Sequence, residues 1–122
     1  HISQVRSLSR EDTIGYGRAG KMKTAGKIAV IPAGYADGIP RSLSNGSGRF
    51  LFKNNRVSVI GNICMDMCMA DLTEIEDVQE GDECEVYGKE ISIIEQAKKI
   101  GTISYELLTH ISSRVKRLYY LD

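Results

Sequence analysis

Lys27-Ile28-Ala29-Val30-Ile31-Pro32-Ala33-Gly34-Tyr35-Ala36-Asp37-Gly38-Ile39-Pro40-Arg41 decides how the chain is read. Its first half is apolar and β-branched and predicts a buried strand. Its second half sets two glycines, a tyrosine, an aspartate, a proline and an arginine into one loop. Gly34 and Gly38 permit backbone angles and close approaches that other residues resist, and Pro40 stiffens the exit. A strand that stops at a rigid loop carrying Tyr35, Asp37 and Arg41 can fix a polar wall. Taken alone, the same residues also describe an ordinary surface turn.

Working outward, the flanks read as short strands. On the N-terminal side, Ile2–Leu8 and Thr13–Tyr16 are separated by the charged turn Arg10-Glu11-Asp12, and Ala19–Lys27 is small, basic and loop-like. Gly15-Tyr16-Gly17-Arg18 places a phenol between two glycines. Such a phenol either stands clear of the backbone and reaches into a shared space, or decorates a hairpin turn. On the C-terminal side, Ser42–Gly48 has the composition of an exposed loop. Arg49–Phe52 and Arg56–Ile60 form a hairpin across Lys53-Asn54-Asn55, because asparagine tolerates the positive φ of a tight turn.

Gly61-Asn62-Ile63-Cys64-Met65-Asp66-Met67-Cys68-Met69 is rich in sulfur and suits a core. Asp66 in its midst needs a partner, since an unpaired buried carboxylate is costly. The acidic stretch from Asp71 to Asp82 reads as a solvated connection. Glu83–Tyr87 alternates like a half-exposed strand, with Cys84 and Val86 on one face. Ser92-Ile93-Ile94-Glu95 has capping-box spacing, so a short helix starts there, runs to about Ile100 and ends at Gly101. Thr102 or Ser104 caps a second helix, with Leu107, Leu108 and Ile111 on one side and Tyr105 in its first turn. A phenol at that end is suited either to an anion contact or to ordinary packing. Arg114–Leu121 reads as a closing strand. The sum is a mostly β domain, a small β-barrel-like fold with two short helices near the C-terminus.

The 122 residues make one domain by length, and the formal net charge is zero. No broad basic field points to nucleic acid, and no apolar run reaches the length of a membrane span. Three cysteines are an odd number for a disulfide framework and favour a reducing compartment. Cys64, Cys68 and Cys84 lack the close pairing of a zinc site, so no metal is expected. The strand-like reading already at Ile2-Ser3-Gln4-Val5 is that of a domain cut from a longer protein.

Taken together and in order, Gly15-Tyr16-Gly17-Arg18, Gly34-Tyr35-Ala36-Asp37-Gly38, Gly61-Asn62-Ile63-Cys64-Met65-Asp66 and Ser104-Tyr105-Glu106 resemble the C-terminal domain of bacterial alanine racemase over nearly the whole chain. The resemblance implies a pyridoxal 5'-phosphate (PLP) enzyme that interconverts L- and D-alanine in the cytoplasm and supplies D-alanine for peptidoglycan synthesis. It implies an N-terminal (β/α)8 barrel carrying the Schiff-base lysine, and such a barrel needs roughly 250 further residues. It also implies a head-to-tail homodimer, in which one subunit's barrel meets the other's C-terminal domain. Residue by residue, Tyr16 matches the catalytic base on one face of the substrate. Met65 matches a residue whose backbone N–H holds the substrate carboxylate, and Tyr105 a phenol that bonds the PLP phosphate. Tyr35, Arg41, Asn62, Asp66 and Ile103 match positions along the corridor to the site, with Arg41 a candidate partner for Asp66. Many relatives carry arginine at the position of Asn62, and often tyrosine and proline at those of Ser113 and Lys116. On this reading the isolated domain neither binds PLP tightly nor turns over alanine. A racemase for serine or another amino acid shares every motif, and a non-catalytic dimerisation module fused to another enzyme is the alternative from a different class.

Overall fold

The computed structural model describes residues 1–8, 13–14, 20–21 and 26–121. The strands are β1 (Gln4–Leu8), β2 (Thr13–Ile14), β3 (Gly20–Lys21), β4 (Gly26–Ile31), β5 (Arg49–Phe52), β6 (Asn55–Ser58) and β7 (Cys68–Asp71). Two helices follow, α1 (Ile93–Lys99) and α2 (Ser104–Thr109). The expected mostly β domain with two short helices near the C-terminus is what forms.

β4 is the central strand, antiparallel to β1 on one side and to β7 on the other. It is buried from Ile28 to Ile31. Ala29 and Ile31 join the main core, while Ile28 packs with Ile60 and Met69 on the other face. A strand covered on both faces has no solvent side to make polar, which is why its sequence is apolar without alternation. β5, by contrast, alternates: Phe50 and Phe52 are fully buried, and Arg49 and Leu51 only partly. Each buried phenylalanine is worth about 3–5 kcal/mol against alanine at such a site.

The sheets are linked beyond their own ladders. Ile60 N–H donates to Met69 O, and Val59 bridges Ala70, so the end of the β5–β6 hairpin leans on β7. Leu51 exchanges backbone hydrogen bonds with Glu85 (2.9 and 3.0 Å). Ile2 N–H then donates to Asp82 O, and Gly81 N–H to Ile2 O. The bonding thus runs in a circuit from β1 through β4, β7, β6 and β5 to residues 81–85 and back. It encloses Ile2, Leu43, Phe50, Phe52, Ile63 and Leu72.

Several local expectations change. β3 and the start of β4 occupy part of the stretch read as a loop from Ala19 to Lys27. Glu83–Tyr87 makes the single bridge at Glu85 rather than a strand, although Cys84 and Val86 do pack toward the core. No strand forms at Arg114–Leu121, where Leu118, Tyr119, Tyr120 and Leu121 are exposed. Among the described residues no strand pairs with this basic-then-apolar segment, so it has no ladder to join. α2 has Ile103 at its N-cap with no side-chain cap, and only Leu107 of its expected apolar side is buried. The hairpin and α1 hold. Lys53 and Asn54 take positive φ in the turn, Ser92 Oγ accepts from Ile94 N–H, and Gly101 follows α1 at φ +73°.

Candidate functional site

The loop after β4 and the loop before β7 are pressed backbone to backbone. Tyr35 N–H donates to Cys64 O and Ala36 N–H to Met65 O, both at 3.0 Å. Gly34 makes this approach possible, because a Cβ there would lie 2.6 Å from Met65 O and closer still to Cys64 O. On its other side the Met65 loop is held by the segment after the short 3-10 turn Arg41–Leu43. Ile63 N–H donates to Ser44 Oγ at 2.8 Å, Asn45 N–H to Gly61 O, and Asn45 Nδ2 to Asn62 Oδ1 at 2.8 Å. Cys64 N–H closes the loop on Met67 O at 2.9 Å.

That tight closure sorts the sulfurs. Cys64 and Cys68, at the base, are buried, whereas Met65 and Met67, at the tip, are 48% and 40% exposed. The expected core role of the sulfur residues thus holds for the two cysteines and in part for Met69, which packs with Ile28, but not for Met65 and Met67. Burial pushes the Cys68 thiol well above its ordinary range, with neighbouring Cys84, Cys64 and Asp37 adding to the effect. Among the described residues, Met65 N–H has no acceptor. A pinned loop thus presents an uncommitted backbone donor at its tip.

Asp66, also at the tip, finds its partner in Arg114 rather than Arg41. Arg114 Nη2 donates to Asp66 Oδ1 at 2.6 Å, and Arg114 Nε to Asp37 Oδ1 at 2.6 Å. The other oxygen of Asp37 accepts from Gly34 N–H at 2.8 Å. Burial raises the Asp37 pKa, but the Arg114 hydrogen bond, the Gly34 N–H and the Arg114 charge outweigh it. The carboxyl therefore lies below its ordinary value. The same two carboxylates hold the guanidinium firmly protonated. Arg114 was missed as a site residue because 77 positions separate it from Asp37 and 48 from Asp66. The available signal was Asp66, a loop carboxylate that calls for a cation.

α2 joins this assembly through the chain that follows it. Ser112 N–H donates to Asp37 O at 3.1 Å. Gly38, at φ +116°, lies so close to His110 and Ile111 that a Cβ would come within 2.7 Å of their backbone. Tyr105, in the first turn of α2, is 73% exposed, and Ile103 at the N-cap is also exposed. Tyr35 is half exposed beside the Met65 loop, and Arg41 is exposed in the 3-10 turn. The structure therefore gathers Tyr35, Asn62, Met65 and Asp66 in one wall and ties α2 to it. Tyr16 lies outside the described residues. An open cavity of about 800 Å³ between residues 51–54 and 83–87 reaches Ile111 but includes none of Tyr35, Asn62, Met65, Asp66 and Tyr105.

Comparison with known proteins gives the wall its context. The profile of the family "Alanine racemase, C-terminal domain" matches residues 1–119. Alanine racemase of Methanococcus maripaludis is 45% identical over 122 residues, covering 97% of this chain and 32% of the relative. Alanine racemase of Clostridium perfringens is 42% identical, covering 98% and 32%. Among solved structures, the biosynthetic alanine racemase of Pseudomonas aeruginosa superposes with a TM-score of 0.92 at 31% identity, over 98% of this chain and 33% of that one. Alanine racemase of Bartonella henselae, solved with covalently bound pyridoxal phosphate, gives the same score at 32% identity. The chain thus spans about a third of the length of the relatives it matches. Agreement in sequence, fold and extent of match places it in the alanine racemase C-terminal domain family.

Proposed function

We propose that the protein containing this domain is a PLP-dependent racemase acting on alanine, and that this domain supplies one proton-transfer residue and part of the substrate and cofactor contacts. The observation that carries the reading is the uncommitted Met65 N–H on a loop held by hydrogen bonds on both sides. A fixed N–H in a partly exposed position suits a carboxylate, which accepts strongly from backbone donors. The methionine side chain has no part in this contact; position and backbone geometry do the binding.

Whether the cofactor suits this chain is tested at α2. Its first turn has no side-chain cap, and the Tyr105 phenol stands exposed beside it. Phosphate oxygens are acceptors, so a phenol donor and uncapped N–H groups fit that end of PLP. Tyr105 would hold the phosphate, while the lysine that carries the cofactor belongs to the remaining two thirds of the protein. PLP supplies the electron sink that makes the α-proton of an amino acid acidic.

Racemisation requires one group on each face of the α-carbon, one to take a proton and one to return it. Tyr16 Oη serves one face, and the lysine of the N-terminal barrel the other. A tyrosine with an ordinary pKa of about 10 is a weak base at neutral pH, so Tyr16 needs cations beside its oxygen. Those come from the barrel of a second subunit in a head-to-tail homodimer. Tyr35, Arg41, Asn62, Asp66 and Ile103 line the corridor through which the amino acid arrives. The product, D-alanine, serves peptidoglycan synthesis in the cytoplasm.

The test is Tyr16→Phe in the full-length protein. Racemisation in both directions is expected to fall by about 10²- to 10⁴-fold, the range associated with loss of a general base, with PLP still bound by its absorbance. Wild-type turnover in both directions would remove Tyr16 from the mechanism.

A further inference from the structure

We propose that Arg114 is a positioning residue for substrate binding, locking the Met65 loop to the Tyr35–Asp37 loop and to the chain leaving α2. This rests on the reading of Met65 as the carboxylate donor given above.

Three segments far apart in sequence meet at one guanidinium. Nε and Nη2 of Arg114 donate to Asp37 Oδ1 and Asp66 Oδ1, each at 2.6 Å, and Nη2 also makes a longer 3.4 Å contact with Asp37 Oδ2, so one guanidinium spans two loops. Asp37 is committed inward as well, through Gly34 N–H, and its carbonyl accepts from Ser112 N–H. Asp66 directly follows Met65. Holding the Asp66 carboxylate therefore fixes the peptide next to the donor N–H, at the one part of the loop that the flanking backbone bonds leave open. Ser112 and Arg114 also continue directly from α2, so the same contacts set where Tyr105 stands relative to Met65.

The geometry calls for arginine in particular. A lysine ammonium is a single point of charge and cannot reach two carboxylates on two loops with the same planar fork. The half-exposed setting of Arg114 makes its contribution to overall stability small, while its effect on a donor's position is direct.

The experiment compares Arg114→Gln, Arg114→Lys and Asp66→Asn in the full-length protein. It measures KM and kcat for alanine, and hydrogen exchange without substrate at the Ala36 and Cys64 amides, which are bonded to Met65 O and Met67 O and so report the closure of the loop. For Arg114→Gln, KM is expected to rise roughly tenfold with kcat changed much less, the signature of lost ground-state and transition-state binding alike. Exchange at Ala36 and Cys64 is expected to accelerate while the β4 amides stay protected. Asp66→Asn should follow in both readouts, and Arg114→Lys should recover part of the KM. An unchanged KM and unchanged exchange at these two amides in Arg114→Gln would overturn the proposal. So would acceleration spread evenly over β4 and the Met65 loop, which marks a general structural role. If the wild-type protein does not racemise alanine, the functional reading fails, but exchange at Ala36 and Cys64 still decides whether Arg114 holds the loop.

Discussion

Arg56 and Arg114 each bridge segments distant in the chain, but their surroundings differ. Arg56 Nη1 meets both oxygens of Glu95 at 2.8 and 3.0 Å, and Nη2 donates to Glu90 O, so it joins the β5–β6 hairpin to α1. Beneath it lies a second tie. Gln96, only 1% exposed, accepts from Arg49 N–H and donates to Arg49 O, with Ile91 and Ala97 buried alongside. Arg114 is backed by main chain instead: Tyr35 N–H to Cys64 O, Ala36 N–H to Met65 O and Ser112 N–H to Asp37 O. The chain beyond it is exposed, and what it joins are polar loops. The first arginine covers an attachment that buried side chains already make; the second adds its charge to one made of backbone bonds. That contrast separates a region held by a packed core from one held by polar contacts between loops.

The most damaging way to break the contrast is Gly34→Ala. The new Cβ would lie within 2.6 Å of Met65 O, and that oxygen belongs to backbone that cannot rotate away. The bonds Tyr35 N–H to Cys64 O and Ala36 N–H to Met65 O would be lost with the approach. A destabilisation of about 3 kcal/mol or more is expected, along with loss of racemisation in the full-length protein. Thermal melting and activity measure it. Near-normal values for both would mean the two loops are not held by their close approach.

Smaller effects sharpen the other side. Gln96→Leu keeps the volume but leaves Arg49 N–H and C=O unpaired in a buried position, at a cost of about 1–3 kcal/mol. Arg56→Ala removes an ion pair that is half in water and should leave the melting temperature within experimental scatter. Equal losses from the two variants would contradict the claim that α1 is held from beneath.

How far the sequence disclosed this arrangement follows from distance along the chain. The hairpin at Asn54 and the helix after Ser92 were legible because turn chemistry and capping are local. The buried β4 was legible because burial on both faces leaves an unbroken apolar run. The strand expected at Arg114–Leu121 was not refuted by anything within those residues; among the described residues no strand pairs with it. Asp66 advertised a need for a cation, yet the choice of Arg114 over Arg41 depends on how the chain after α2 crosses Gly38. Met65 and Met67 read as core because side-chain chemistry says so, and the Cys64–Met67 closure that turns them outward leaves no mark on composition.

The smallest expected effect concerns acid. The folded-state pKa of Asp37 lies below its ordinary value of 3.8, so its contribution is complete above that value and is lost as pH falls through the folded pKa. Protonation removes a charge from the Arg114 contact and an acceptor from Gly34 N–H at once. The link between the chain after α2 and the Tyr35 loop should therefore loosen only at pH below that ordinary value, while the β4 core stays folded. The Arg114 Nε–H resonance, slow to exchange when bonded, should broaden or disappear through that range, and Asp37→Asn should remove the transition. The same transition in Asp37→Asn would show that the Asp37 carboxylate is not its source. Arg114 would then be anchored chiefly at the tip of the Met65 loop, and the inward bond from Gly34 would add little to the clamp.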